Sequence, residues 1–324
     1  MMTTDQIPEP HMREILAASP SNWGRWGDND ELGALNFLDD KEVLRGAAEI
    51  QRGATFTLGT RLGDPLGDPV APDRTGSHRV NTRDKSSYEA GKVEAFYGGL
   101  EFADDLVVMY LQGTTHTDAL GHAWYDNEIY NGYPASSTVQ SMEKASILPI
   151  AQRGVVGRGV LLDVARHRGK EHLDRAESFT LTDLLDTAES QGLEIQPHDV
   201  LLVRTGWLPS FFTGNQDAFR QEPFIEPGLE FEPAVVEWFH RMEIPAYCTD
   251  TITNELTLQA NSGVNSILHG ALMRNLGVVF KEMLDLDALA SDCAEDGRYA
   301  FLFVSAPLKV VGGTGAPMNP VVIK

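Results

Sequence analysis

The sequence predicts an α/β domain, and three observations carry the prediction. From residue 155 onward, apolar runs of strand length alternate with amphipathic stretches of helical period. Cap and turn residues fall between them. The chain has 324 residues, ample for a substantial core, and no stretch has the composition of a linker. One domain over residues 21–324 is therefore expected, behind a flexible segment 1–20.

Each element has a local reason. Trp23 and Trp26, spaced by Gly24, suggest a compact loop. Asp39 or Asp40 can cap a helix from Lys41 to about Gln51, ended near Gly53. Residues 62–91 are dense in Gly, Pro, Asp and Ser, the composition of a lid, an interface arm or a disordered excursion. Residues 106–111 are apolar and read as a buried strand, as do 155–164 and 199–204. Residues 182–191 form an amphipathic helix with Gly192 as its stop. A helix over 233–242 tolerates Pro233 in its first turn, and a short strand follows at 244–249. A helix over 266–276 ends at Gly277, and strands follow at 278–283 and 300–311. The glycine-rich stretch 312–315 opens no helix and reads as a turn.

Charge and composition exclude several functions. Asp plus Glu number 47 against 26 Lys plus Arg, a formal net charge of -21. Such a surface repels phosphate backbones and anionic lipid, so neither nucleic acid nor membrane is an expected partner. No apolar run reaches membrane-spanning length and the first ten residues lack the apolar core of a signal peptide. The two cysteines, Cys248 and Cys293, form no motif, which agrees with a reducing, cytoplasmic setting. There is no Gly-x-Ser-x-Gly elbow and no phosphate-binding glycine loop followed by Lys.

The chemistry concentrates in Gln112-Gly113-Thr114-Thr115-His116-Thr117-Asp118-Ala119-Leu120-Gly121-His122. On an extended backbone side chains alternate faces, so His116 and Asp118 project the same way. Imidazole nitrogen and carboxylate oxygen are usual donors for zinc or manganese. The same pair also suits a buried imidazole hydrogen-bonded to a loop carboxylate. His122 suits a general base or acid, or a structural bond at the strand's exit. Glu282 sits in an apolar strand, where a carboxylate needs a partner. His269 lies thirteen residues earlier, in an apolar helical pattern. Asp250 ends a strand, a common site position that also suits a turn-forming Asp. Trp124 and Tyr125 follow the motif and can wall an aromatic pocket or pack in the core.

The motif resembles the His-x-Gly-Thr-His-x-Asp-x-x-x-His element of the metal-dependent cyclase superfamily, which includes kynurenine formamidase-like and isatin hydrolases. Gln112 stands at the first His position and Thr114 at the Gly position. The resemblance extends to residues 202–207, to His269 with Glu282, and to Ala306-Pro307-Leu308. It implies a swivelling β/β/α-type fold with a strand-rich core and outer helices. It also implies a divalent metal on His116 and Asp118, with Gln112 as a further ligand and His269 and Glu282 as ligands or orienting groups. His122 would be catalytic, with Trp124, Tyr125 and Asp250 near the substrate. Family substrates are cyclic amides, lactones and aryl formamides, so hydrolysis of an aromatic or cyclic small molecule by a homodimer or homotetramer is the expectation. A lyase or cyclase on the same site, and a metal-free binding protein, are the alternatives.

Overall fold

The computed structural model describes residues 11–259 and 262–324. Its centre is a sheet of nine strands: β1 (Thr55–Thr57), β2 (His116–Asp118), β3 (Val155–Asp163), β4 (Val200–Arg204), β5 (Ala246–Thr249), β6 (Val279–Glu282), β7 (Ala300–Ser305), β8 (Gly315–Pro317) and β9 (Val321–Ile323). Their order is β1-β9-β7-β3-β4-β5-β6-β2-β8. The inner strands β3, β4, β5 and β6 run parallel, and antiparallel pairs extend the sheet on both sides. Parallel strands covered on both faces are apolar almost throughout, and β4, Val-Leu-Leu-Val-Arg, is buried at every position. The sheet curls on itself. Just past β1, Gly59 bridges Leu284 beyond β6, and the Thr60 N–H donates to Thr115 Oγ1 at 2.8 Å.

Helices pack outside this sheet, each with a sequence-level cause. Asp39 caps Asp40–Ala47 by accepting from the N–H groups of Lys41 and Glu42. Thr180 and Asp183 form a reciprocal capping box at the start of Leu181–Ser190, which buries Leu184, Thr187 and Ala188. Pro233 opens Pro233–Met242, whose inner face is Val235, Val236, Trp238 and Phe239. His269–Asn275 is a π-helix, a form common at functional sites. Among the described residues no helix is long and apolar enough to cross a membrane.

Three expectations change. Residues 106–111 are not a buried strand. Asp104–Val108 pairs only with His78–Arg83 in a separate two-stranded arm, with Leu106, Val107 and Val108 all exposed. An apolar run of strand length is consistent with a buried strand, but it does not by itself show that the strand packs in the core. The strand expected over 300–311 stops at Ser305. Of the expected flexible segment 1–20, residues 1–10 lie outside the described residues, while Met12–Ile15 is helical and Leu16 is buried in the core.

Asp250 follows β5 and is fully buried. Its carboxylate accepts from Thr205 N–H at 2.8 Å, Thr205 Oγ1 at 2.6 Å and Gly206 N–H at 2.6 Å. It thereby ties the exit of β4 to the exit of β5. Gly206 has φ +72°, and a Cβ there would lie 2.2 Å from the Glu171 carbonyl oxygen, so no other residue fits this turn. Asp250 does not line the cavity described below, and its three donors make it a clamp on the turn. Asp250→Ala leaves several buried donors without an acceptor. It is expected to cost about 2–4 kcal/mol, read by denaturant unfolding.

Candidate metal centre and cavity

Strand register builds the centre. His116 and Asp118 alternate with Thr117 along β2 and share one face, as the spacing predicts. In the β6–β2 pair, Glu282 stands directly opposite His116 and Lys281 opposite Thr117. The sheet therefore sorts its polar groups: His116, Asp118 and Glu282 gather on one side, while Lys281 Nζ donates to Thr117 Oγ1 at 2.9 Å on the other. His116 Nε2 lies 3.4 Å from Asp118 Oδ1 and 3.2 Å from Glu282 Oε2. All three residues are buried.

The donor set fits a divalent cation. His116 Nε2, both Asp118 carboxylate oxygens and Glu282 Oε1 are buried without a hydrogen-bond partner among the described residues. Such a group of orphaned atoms is costly unless a cation satisfies them. The histidine is oriented for ligation, because its Nδ1 sits 2.7 Å from the Thr114 carbonyl oxygen, which can only accept. Nδ1 therefore carries the proton and Nε2 faces the carboxylates.

His269 adjoins the cluster, with Nε2 at 3.6 Å from Glu282 Oε1. Its Nδ1 lies 2.7 Å from Glu255 Oε1, and the same carboxylate accepts from the N–H groups of Leu268 and His269. Glu255 thus caps the π-helix and aims the imidazole at once. The sequence reading missed Glu255; nothing in its polar, Thr-rich segment distinguishes it from a surface residue, yet it is fully buried. Gln112 has other partners than the cluster. Its amide donates to Thr314 Oγ1 at 3.0 Å, and its backbone carbonyl accepts from Arg74 at 3.0 Å.

The electrostatics follow from burial and neighbours. Burial alone would lower the pKa of His116, but Asp118 and Glu282 outweigh it and hold the imidazole up to about 10. His269 is likewise held up to about 9, against its burial, by Glu255 and Glu282. Burial would raise Asp118, and the surrounding histidines hold it below the ordinary carboxylate range. Burial and Asp118 push Glu282 up. His122 moves the other way from its fellow histidines. Burial lowers it despite Asp118, helped by His269 and Arg74, so its imidazole is neutral near pH 7.

A cavity of about 640 Å³ opens onto this centre. His122, His269 and Glu282 form its reactive side, and Trp124, Tyr125 and Phe224 supply aromatic wall. Trp124 is about half exposed; Tyr125 is held by a bond from its hydroxyl to Asn275 Oδ1 at 3.0 Å and by the Arg274 guanidinium over its ring at 3.8 Å. Behind Ile252 and Thr253 lies buried Glu226, which accepts from both of their N–H groups; burial pushes its carboxyl up to about 8. Cys248 is buried, with its thiol pushed up to about 12, the inert state its apolar strand suggests.

Comparison with known proteins agrees with this architecture. The crystal structure of a novel cyclase superposes with TM-score 0.84 at 32% identity, covering 94% of this chain and 100% of that one. Isatin hydrolase A from Labrenzia aggregata, bound to benzyl benzoate, shares the fold at TM-score 0.60 and 18% identity, covering 85% and 94%. An isatin hydrolase bound to the product analogue thioisatinate gives TM-score 0.59 at 18% identity, covering 88% and 98%. No curated protein matches the chain in sequence. The family model described as putative cyclase matches residues 55–255, a span that holds β2, the His-rich motif and Glu255, and this chain belongs to that family.

Proposed function

We propose that this protein is a metal-dependent hydrolase that opens a cyclic amide or lactone, or cleaves an aryl formamide. The observation that carries the reading is the buried group His116, Asp118 and Glu282, whose facing atoms meet one another but make no hydrogen bond among the described residues. The family membership and the isatin hydrolases with the same fold support it. The nitrogen and oxygen donors suit Zn or Mn, with His269 beside them as a further ligand. A divalent ion held there would acidify a water molecule and polarise the scissile carbonyl.

The chain's own residues supply the rest. His122, neutral and lining the cavity, removes a proton from the attacking water as its oxygen joins the carbonyl carbon. The carbon–nitrogen or carbon–oxygen bond then breaks, and the same imidazole returns that proton to the leaving atom. Glu255 keeps His269 fixed, and the Thr114 carbonyl does the same for His116. Trp124 and Tyr125 stack a planar substrate. In this reading the protein works as a homodimer or homotetramer joined through the arm, whose apolar side chains are exposed in the single chain.

Replacing both His116 and Asp118 by Ala should abolish bound metal and hydrolysis together. Full activity in metal-free double mutant ends the reading, as does a product that takes up no oxygen from labelled water. His122→Ala should keep its metal and lose about 10²–10⁴-fold in kcat. Glu255→Gln should weaken metal affinity about 10–100-fold, read by competition with a chelator.

The pH dependence has a definite sign. With His116 held up to about 10, its imidazole is protonated at pH 7 in ion-free protein, and a cation must displace that proton. Metal affinity should therefore rise with pH from 7 towards 10, with proton release seen by calorimetry in two buffers. The ion-free protein should show the reverse trend in stability. A raised histidine stabilises fully below its ordinary value of 6.5 and loses that contribution as pH climbs through about 10.

A further inference from the structure

Arg74 lines the same cavity as His122 and Glu282, and it is the only Lys or Arg among the described residues that do. It belongs to the loop that precedes the arm. One guanidinium N–H donates to the Gln112 carbonyl at 3.0 Å, which fixes the side chain against the segment leading into β2. A guanidinium offers five N–H donors. Among the described residues the rest of Arg74's donors meet no acceptor, and no carboxylate pairs with it, although most arginines of this acidic chain are so paired. Asp73, its neighbour in the lining, is exposed and makes no ion pair with it. A permanent, half-buried cation is thus anchored at one nitrogen and left open to the cavity.

We infer that Arg74 binds an anionic group of the substrate, a carboxylate on an aromatic ring, distinct from the bond that is cleaved. The inference rests on the hydrolase reading and narrows its substrate class. A planar guanidinium matches a carboxylate bidentately, and one charge-assisted pair in a sheltered site is worth roughly ten- to a hundredfold in affinity. The aromatic wall of Trp124, Tyr125 and Phe224 holds the ring between the arginine and the metal centre. The role of the Gln112 segment follows as well: its backbone sets Arg74 and its side chain is tied to Thr314, so it links the specificity group to the motif strand.

The test separates this assignment from the hydrolase reading. Metal-loaded protein is titrated calorimetrically with benzoate and with phthalate, isophthalate and terephthalate, which place a second carboxylate at three spacings. The best of the three should bind at least about tenfold more tightly than benzoate. Arg74→Gln, which retains a donor for the Gln112 carbonyl, should erase that advantage at unchanged metal content, and Arg74→Lys should keep part of it. In parallel, hydrolysis of 2-formamidobenzoate over formanilide should be favoured by wild type and not by Arg74→Gln. No dicarboxylate advantage in wild type, or one that persists in Arg74→Gln, overturns the assignment. Hydrolysis of both formamides without preference also overturns it, while leaving the hydrolase reading intact. If neither formamide is hydrolysed but the Arg74-dependent advantage is present, the hydrolase reading fails for these compounds and the anion site stands.

Discussion

The pairing of β2 with β6 is the constraint on which the centre depends. It sets Glu282 opposite His116 and brings an imidazole and two carboxylates together in the buried interior. Two like charges in that space repel, and both lose hydration on burial. The sheet holds them there because its parallel strands supply a large apolar core, and because each group is braced from behind. The Thr114 carbonyl braces His116, and Glu255 braces His269. The same register sends Lys281 and Thr117 to the opposite face, so a buried cation is kept apart from the carboxylates that would otherwise neutralise it. Among the described residues no Lys or Arg pairs with these carboxylates, and only histidines lie beside them, which a divalent ion can use as ligands.

Much of this was legible in residue order. Strand alternation placed His116 and Asp118 on one face, and the cost of a lone carboxylate in an apolar strand singled out Glu282. The Asp39 cap and the Pro233 at the start of its helix lie where local chemistry puts them. Pattern could not show which distant strand would lie beside β2, so Glu255 and Arg74 escaped notice. Both reach the centre through tertiary packing and have unremarkable neighbours in sequence. For Asp250 the sequence leaves a site position and a turn-forming Asp open, and the structure shows three donors enclosing its carboxylate at the turn. The arm departs from the expectation because an apolar run of strand length does not by itself show whether the strand joins the central sheet.

The location of the ligands along the chain has a consequence for folding. His116 and Asp118 are made long before Glu282, and three strands of the sheet, β3, β4 and β5, lie between them in sequence. β2 has no binding partner for its imidazole and carboxylate until β6 docks beside it, and β6 docks on β5, which requires β4 and β3. Contacts so distant in sequence form late, since the entropy of closing large loops must be met first. A chain with a misregistered β6 would turn Lys281 inward, in place of Glu282, and present a positive charge where an ion must bind. Cation uptake thus reads out correct strand register: it rewards the finished sheet and is withheld from a slipped one.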